Sequence, residues 1–172
     1  MYRLRGSDAQ HIYNETLNSP FETLKVTVYE PVSADTPIDV DELAGFLKDA
    51  VRNSPNETMS MRVMRVPLDL HHPVWVKDPN YCLDDHYYHT ALPAPGGKQQ
   101  LCDFISTLLS RPLYANRPLW ETWIVEGLEG GRVAAVSKVH HVMADGLTSV
   151  KGLVRMHSQQ PTETVEKTLS KP

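Results

Sequence analysis

Only two cysteines occur, Cys82 and Cys102, and their spacing fits neither a metal-ligand pair nor a redox motif. A secreted disulfide framework needs more cysteines in a shorter chain, so two free thiols in a reducing compartment are expected. No apolar run approaches the roughly 20 residues needed to span a bilayer. The opening stretch, MYRLRGSDAQHIYNE, lacks the apolar core of a signal peptide. The expectation is a cytoplasmic protein, peripheral to a membrane or lipid droplet at most. Basic blocks are missing too: Lys and Arg are scattered and the net charge is −4, which argues against a nucleic-acid partner.

What remains is the composition of an ordinary folded domain. Of 172 residues, 41% are hydrophobic and 22% charged, enough for one core with a normal surface. Residues 1–157 carry regular apolar spacing and read as that domain. Residues 158–172, SQQPTETVEKTLSKP, are polar and aperiodic, and read as a linker.

Alternation and caps predict the elements. Ser7 with Gln10 three residues on suggests a capping box and a short helix to about Glu15. Phe21 to Glu30 alternates as a strand, with Leu24, Val26 and Val28 on one face. Asp39 caps a helix whose stripe is Val40, Leu43, Phe46, Leu47, Ala50 and Val51. Met61 to Val66, Val74 to Lys77 and His86 to Thr90 read as extended segments, with a turn at Asp78-Pro79-Asn80. The loop Pro93 to Gly97 leads into a helix to about Ser110, its face formed by Leu101, Phe104, Ile105, Leu108 and Leu109. Two prolines keep Arg111 to Pro118 out of regular helix. Leu119 to Val125 and Arg132 to Val139 read as a hairpin around the glycine-rich turn Glu126 to Gly131. The second of these strands is apolar enough to be buried on both faces. A last helix is expected over Leu147 to His157. Strands and helices mixed in this way imply an α/β fold, a mixed sheet with flanking helices.

Chemistry concentrates in His140-His141-Val142-Met143-Ala144-Asp145-Gly146, between an interior strand and a helix. Strand termini are where open sheets often hold reactive groups. Imidazole is the side chain best suited to take a hydroxyl proton near neutral pH. Gly146 permits a sharp turn, and Asp145 could fix the loop through an arginine. The same residues also fit a metal site with Asp145 as third ligand, or an ordinary polar loop, and residue chemistry alone leaves the three readings open. Elsewhere, His86 and His89 fall on opposite faces of a strand, and His71-His72 read as solvated. Trp75, Tyr87 and Tyr88 read as core or interface, and Met59, Met61 and Met64 as flexible core filling.

The arrangement HHxxxDG resembles the signature of the chloramphenicol acetyltransferase-like superfamily. Further segments resemble its wax ester synthase/diacylglycerol acyltransferase branch, especially the mycobacterial triacylglycerol synthases. They are Ser7-Asp8-Ala9, Leu92 to Gly97 (LPAPGG), Arg117 to Glu121 (RPLWE), Glu126 to Arg132 (EGLEGGR) and Lys138 to His141 (KVHH). The resemblance implies a chloramphenicol acetyltransferase-like fold, of which this chain is one of two halves, the amino-terminal one. It implies that His141 is the general base, removing a proton from diacylglycerol or a fatty alcohol that then attacks acyl-CoA. No cofactor and no metal are implied, acyl-CoA being a substrate. His140, Asp145 and Gly146 shape the loop in that scheme, and Pro118, Leu119 and Trp120 support the site by packing.

Two features depart from the family pattern. Tyr114-Ala115-Asn116 stands where an acidic and then a basic residue are usual, so a local ion pair is expected to be missing. The chain also stops inside what resembles the interdomain linker. The expected partners are thus a carboxy-terminal acyltransferase domain or a second copy of the chain. Two alternatives carry different partners: a condensation-type enzyme using a carrier-bound thioester, and a non-catalytic half that binds lipid or a partner domain.

Overall fold

The computed structural model describes residues 1–16 and 19–143. The helix expected over residues 147–157, the linker, Asp145 and Gly146 lie outside the described residues.

A four-stranded sheet positions the HHxxxDG segment. Its order is β2 (Glu22–Tyr29), β7 (Arg132–His140), β6 (Trp120–Leu128) and β5 (Tyr87–Ala91). β7 runs antiparallel to both neighbours, and β5 is parallel to β6. The two strands pair as the expected hairpin, with Trp120 opposite Val139. β7 is interior, which explains its apolar run: Val133, Ala134, Ala135 and Val136 are all buried. Helix α2 (Val40–Arg52) covers one face, packing around Leu47, Ile124, Val133 and Ala135. Helix α3 (Lys98–Leu109) covers the other, setting Leu108 against Val125, Ala134 and Val136. Each fully buried Val or Leu side chain contributes roughly 1.5–3 kcal/mol.

A second sheet of three strands, β1 (Tyr2–Arg3), β4 (Val74–Lys77) and β3 (Met61–Met64) in that order, lies apart from the first. Its Met61 and Trp75 join a core with Leu4 and Ala9, the latter on helix α1 (Gly6–Asn14). Leu119, Trp120, Val142 and Met143 complete that core. The start of β6 and the turn after β7 are therefore packed by elements from the beginning of the chain. Among the described residues no helix is long and apolar enough to cross a membrane.

Several details differ from expectation. Helix α1 has Arg5 as its N-cap with no side-chain cap bond, and Ser7 lies inside the first turn. The reason is tertiary: Leu4 N–H is held by Pro73 O at 2.9 Å, keeping the chain extended up to that point. A glutamine side chain caps α3 instead, Gln100 Oε1 accepting from Gly97 N–H at 3.0 Å. Asp39 caps α2 as expected, its Oδ1 accepting from the N–H groups of Asp41 and Glu42 at 3.0 Å. Phe46, at 45% exposure, and Leu109 and Val28, at 42% each, stand outside the core. Val26, in the middle of the β2 stripe, is exposed as well; β2 is an edge strand.

Strand β6 runs to Leu128 through a register shift rather than stopping at Val125. The two glycine-rich segments meet there. Leu92 N–H donates to Glu126 O, and Glu129 N–H to Gly96 O, both at 2.9 Å. Gly96 has φ +69°, and a Cβ on it would fall 1.8 Å from Gly127 O. Only glycine fits that crossing.

Candidate active site

β7 ends at His140, and His141 N–H continues its ladder by donating to Phe21 O at 2.8 Å. From the other side, His140 N–H donates to Leu119 O at 3.0 Å. The histidine pair is thus gripped by β2's approach and by the Pro118-Leu119-Trp120 segment. The two rings have different surroundings. His140 is buried, and His141 is half-buried.

The His140 ring is tied to its own turn. Its Nδ1 accepts from Val142 N–H at 3.0 Å, so the neutral ring carries its proton on Nε2. Nε2 stands 3.2 Å from Glu15 Oε1, a contact that becomes an ion pair only if the ring is protonated. Burial pulls the His140 pKa below the ordinary imidazole value, against the opposing charges of Glu15 and Glu22, while His11 adds to the lowering. A ring so enclosed is suited to holding the turn's shape.

Beneath it lies a buried ion pair absent from the sequence reading. Lys138 Nζ is 2.7 Å from Glu22 Oε2, and Lys138 also donates to Leu108 O at 2.8 Å and to Arg111 O. Glu22 Oε1 accepts from Leu113 N–H at 2.6 Å. One lysine therefore joins β7, β2 and the carbonyl end of α3. A cation there also suits the negative end of the helix dipole.

Pro118, Leu119 and Trp120 are buried. Trp120 Nε1–H donates to Met59 O at 2.8 Å. The His86 ring stacks on the indole at 4.4 Å, and its Nδ1 donates to Trp120 O at 2.8 Å. His86 is buried in a turn just before β5, and His89 is exposed on that strand against Glu126. Trp75 is core, and Tyr88 stacks on Trp123 at 4.6 Å. Met61 is buried, whereas Met64 is exposed. His72 is not simply solvated: its Nδ1 lies 3.0 Å from Tyr13 Oη. Where an ion pair was expected to be missing, Tyr114 is exposed, and Arg117 reaches Asp85 O and Tyr88 Oη.

Among the described residues no group of three or more His, Cys, Asp or Glu is arranged to hold a metal ion. Cys82 and Cys102 are free and exposed. A concavity of about 490 Å³, lined by Glu30, Pro31, Glu129, Gly130 and Arg132, lies at the far end of β7 from His140, out of reach of the histidine pair. Glu15, Glu22 and His11 went unnoticed in the sequence because nothing local marks them. The odd charge of Lys138 inside an apolar strand is the one signal that could have prompted a search for a buried acid.

The profile of the wax ester synthase/diacylglycerol acyltransferase catalytic domain matches residues 4–172. A Mycobacterium tuberculosis protein bearing the name diacylglycerol O-acyltransferase is 36% identical over 163 residues, covering 95% of this chain and 34% of its own length. Another from that organism, similarly named, is 38% identical over 155 residues, covering 90% of this chain and 33% of its own. The chain thus spans about a third of the length of the curated relatives it matches. Among solved structures, the wax ester synthase/diacylglycerol acyltransferase from Marinobacter aquaeolei superposes with a TM-score of 0.76 at 28% identity, covering 94% of this chain and 39% of that one. The starter condensation domain of rhizomide synthetase superposes with a TM-score of 0.65 at 15% identity, covering 90% and 34%, a likeness of fold alone.

Proposed function

The chain belongs to the wax ester synthase/diacylglycerol acyltransferase catalytic-domain family, and from that membership we propose that it supplies the general base of an acyl-CoA-dependent O-acyltransferase. His141 takes the proton of a diacylglycerol or long-chain alcohol hydroxyl as the oxygen attacks the acyl-CoA thioester carbonyl. The tetrahedral adduct collapses with loss of CoA thiolate, which recovers the proton from His141. The products are triacylglycerol or wax ester and free CoA, and no acyl-enzyme forms.

One observation carries the reading. His141 sits at the end of the central strand with its backbone pinned to Phe21 and its ring half-buried. A base needs a fixed backbone and a reachable nitrogen together. His140 serves the turn, and the supporting role that the family resemblance gives Asp145 and Gly146 belongs to the same proposal. Pro118, Leu119 and Trp120 serve as packing beneath it. A thioester is already activated, so base catalysis and positioning suffice without a metal or other cofactor.

The site takes its remaining wall from the part of the relatives' length that this chain does not span, so the partner is a carboxy-terminal acyltransferase domain. Contact with a membrane or lipid-droplet surface would bring the acceptor. The test is free-thiol release from palmitoyl-CoA or a carrier-bound palmitoyl thioester, with and without diacylglycerol or a long-chain alcohol, using the chain alone and combined with that remaining portion. Acceptor-dependent release supports the proposal. Release that needs a carrier-bound thioester, or none in any arm, overturns it.

A further inference from the structure

His11, on α1, brings its ring against that of His141 with centroids 5.4 Å apart and planes inclined by 23°. Its other neighbour is Phe21, also at 5.4 Å and tilted by 52°. Phe21 therefore acts on His141 twice, through its carbonyl and through the intervening ring of His11. Among the described residues, neither ring nitrogen of His141 makes a hydrogen bond, and the stack is its ring contact.

We infer that His11 is a positioning residue for the base, orienting the imidazole of His141 by its face rather than by a nitrogen. The inference rests on the proposed function. Many catalytic histidines are oriented by an acid hydrogen-bonded to Nδ1, which fixes the tautomer and occupies one nitrogen. A face stack fixes the ring plane without occupying either nitrogen, so both stay free for the proton transfer. The stack belongs to α1, so the helix that packs the core under the turn also sets the angle of the ring above it.

The chemistry demanded of position 11 is a flat aromatic ring, and that separates positioning from packing. His11→Phe keeps a ring in the stack; His11→Leu keeps apolar volume without one. In NMR spectra of this chain, the His141 ring protons should show nuclear Overhauser contacts to residue 11 and ring-current upfield shifts. These persist in His11→Phe and vanish in His11→Leu. In the thiol-release assay with the remaining portion present, His11→Leu should lower kcat by about 10–100-fold at unchanged KM, the scale expected of a misplaced base. His11→Phe should restore most of that loss.

Unchanged His141 resonances in a folded His11→Leu protein would overturn the inference, as would equal kcat in the Leu and Phe variants. If the wild type releases no thiol in any arm, it is the proposed function that fails. The NMR comparison still decides whether the stack exists.

Discussion

Lys138 Nζ and Glu22 Oε2 lie 2.7 Å apart with both side chains 1% exposed, a complete ion pair two residues before the histidine pair. Such a pair contributes little net stability against well-packed apolar residues, because both charges were taken out of water. Its value is geometric. It locks the end of β7 to the start of β2 and to the carbonyls that close α3.

Breaking one side of the pair should therefore cost far more than removing both. Glu22→Leu or Lys138→Met alone is expected to destabilise by about 3–5 kcal/mol, leaving a buried charge unpaired. The double substitution should recover most of that loss. Chemical denaturation of the three variants checks this. Additive losses would mean that the two groups do not act as a pair.

Burial holds His140 and His86 below the ordinary imidazole value, with partial opposition from Glu15 and Glu22 for the first and from the Trp120 carbonyl for the second. The unfolded chain takes up protons at these positions as pH falls through about 6.5, while the folded protein resists. Unfolding free energy should thus decrease as pH drops below that point and level off only beneath the folded-state values. Thermal melts at pH 7.5, 6.5 and 5.5 should show a falling Tm. A flat or rising Tm over that interval would contradict the buried-neutral assignment.

The contact between the Gly96 and Gly127 segments makes a third prediction. Gly96→Ala would place a Cβ 1.8 Å from Gly127 O at a positive φ, so backbone must shift. A loss of about 1–2 kcal/mol is expected from the positive φ alone, with the clash adding to it. Gly45→Ala is the control: it lies inside α2, its Cβ would meet nothing within 4 Å, and it should be neutral or stabilising. Similar effects from both substitutions would mean that the two loops do not cross as described.

Local signals were legible and non-local ones were not. Val74 to Lys77, the Asp39 cap and the hairpin opposing Trp120 to Val139 depend on alternation or short-range hydrogen bonds, and each was readable from neighbouring residues. Strand β1 carries no pattern of its own and exists because Tyr2 and Arg3 find β4. The Ser7 capping signal was real chemistry overridden by the grip of Pro73 on Leu4. At the site, His140 and His141 announced themselves by adjacency at a strand end. His11 on α1 and Glu15 at its end reach them, and Glu22 on β2 reaches Lys138, each across more than a hundred residues, and only folding reveals them.

Acyl transfer by this fold depends on the base. His141→Gln preserves size and polarity but cannot take up a proton near neutral pH, so secondary structure and Tm should stay close to wild type. Acceptor-dependent thiol release, measured with the remaining portion present, should fall by about 10²–10⁴-fold, the usual contribution of general-base catalysis. A folded His141→Gln protein that releases thiol at the wild-type rate would contradict the account.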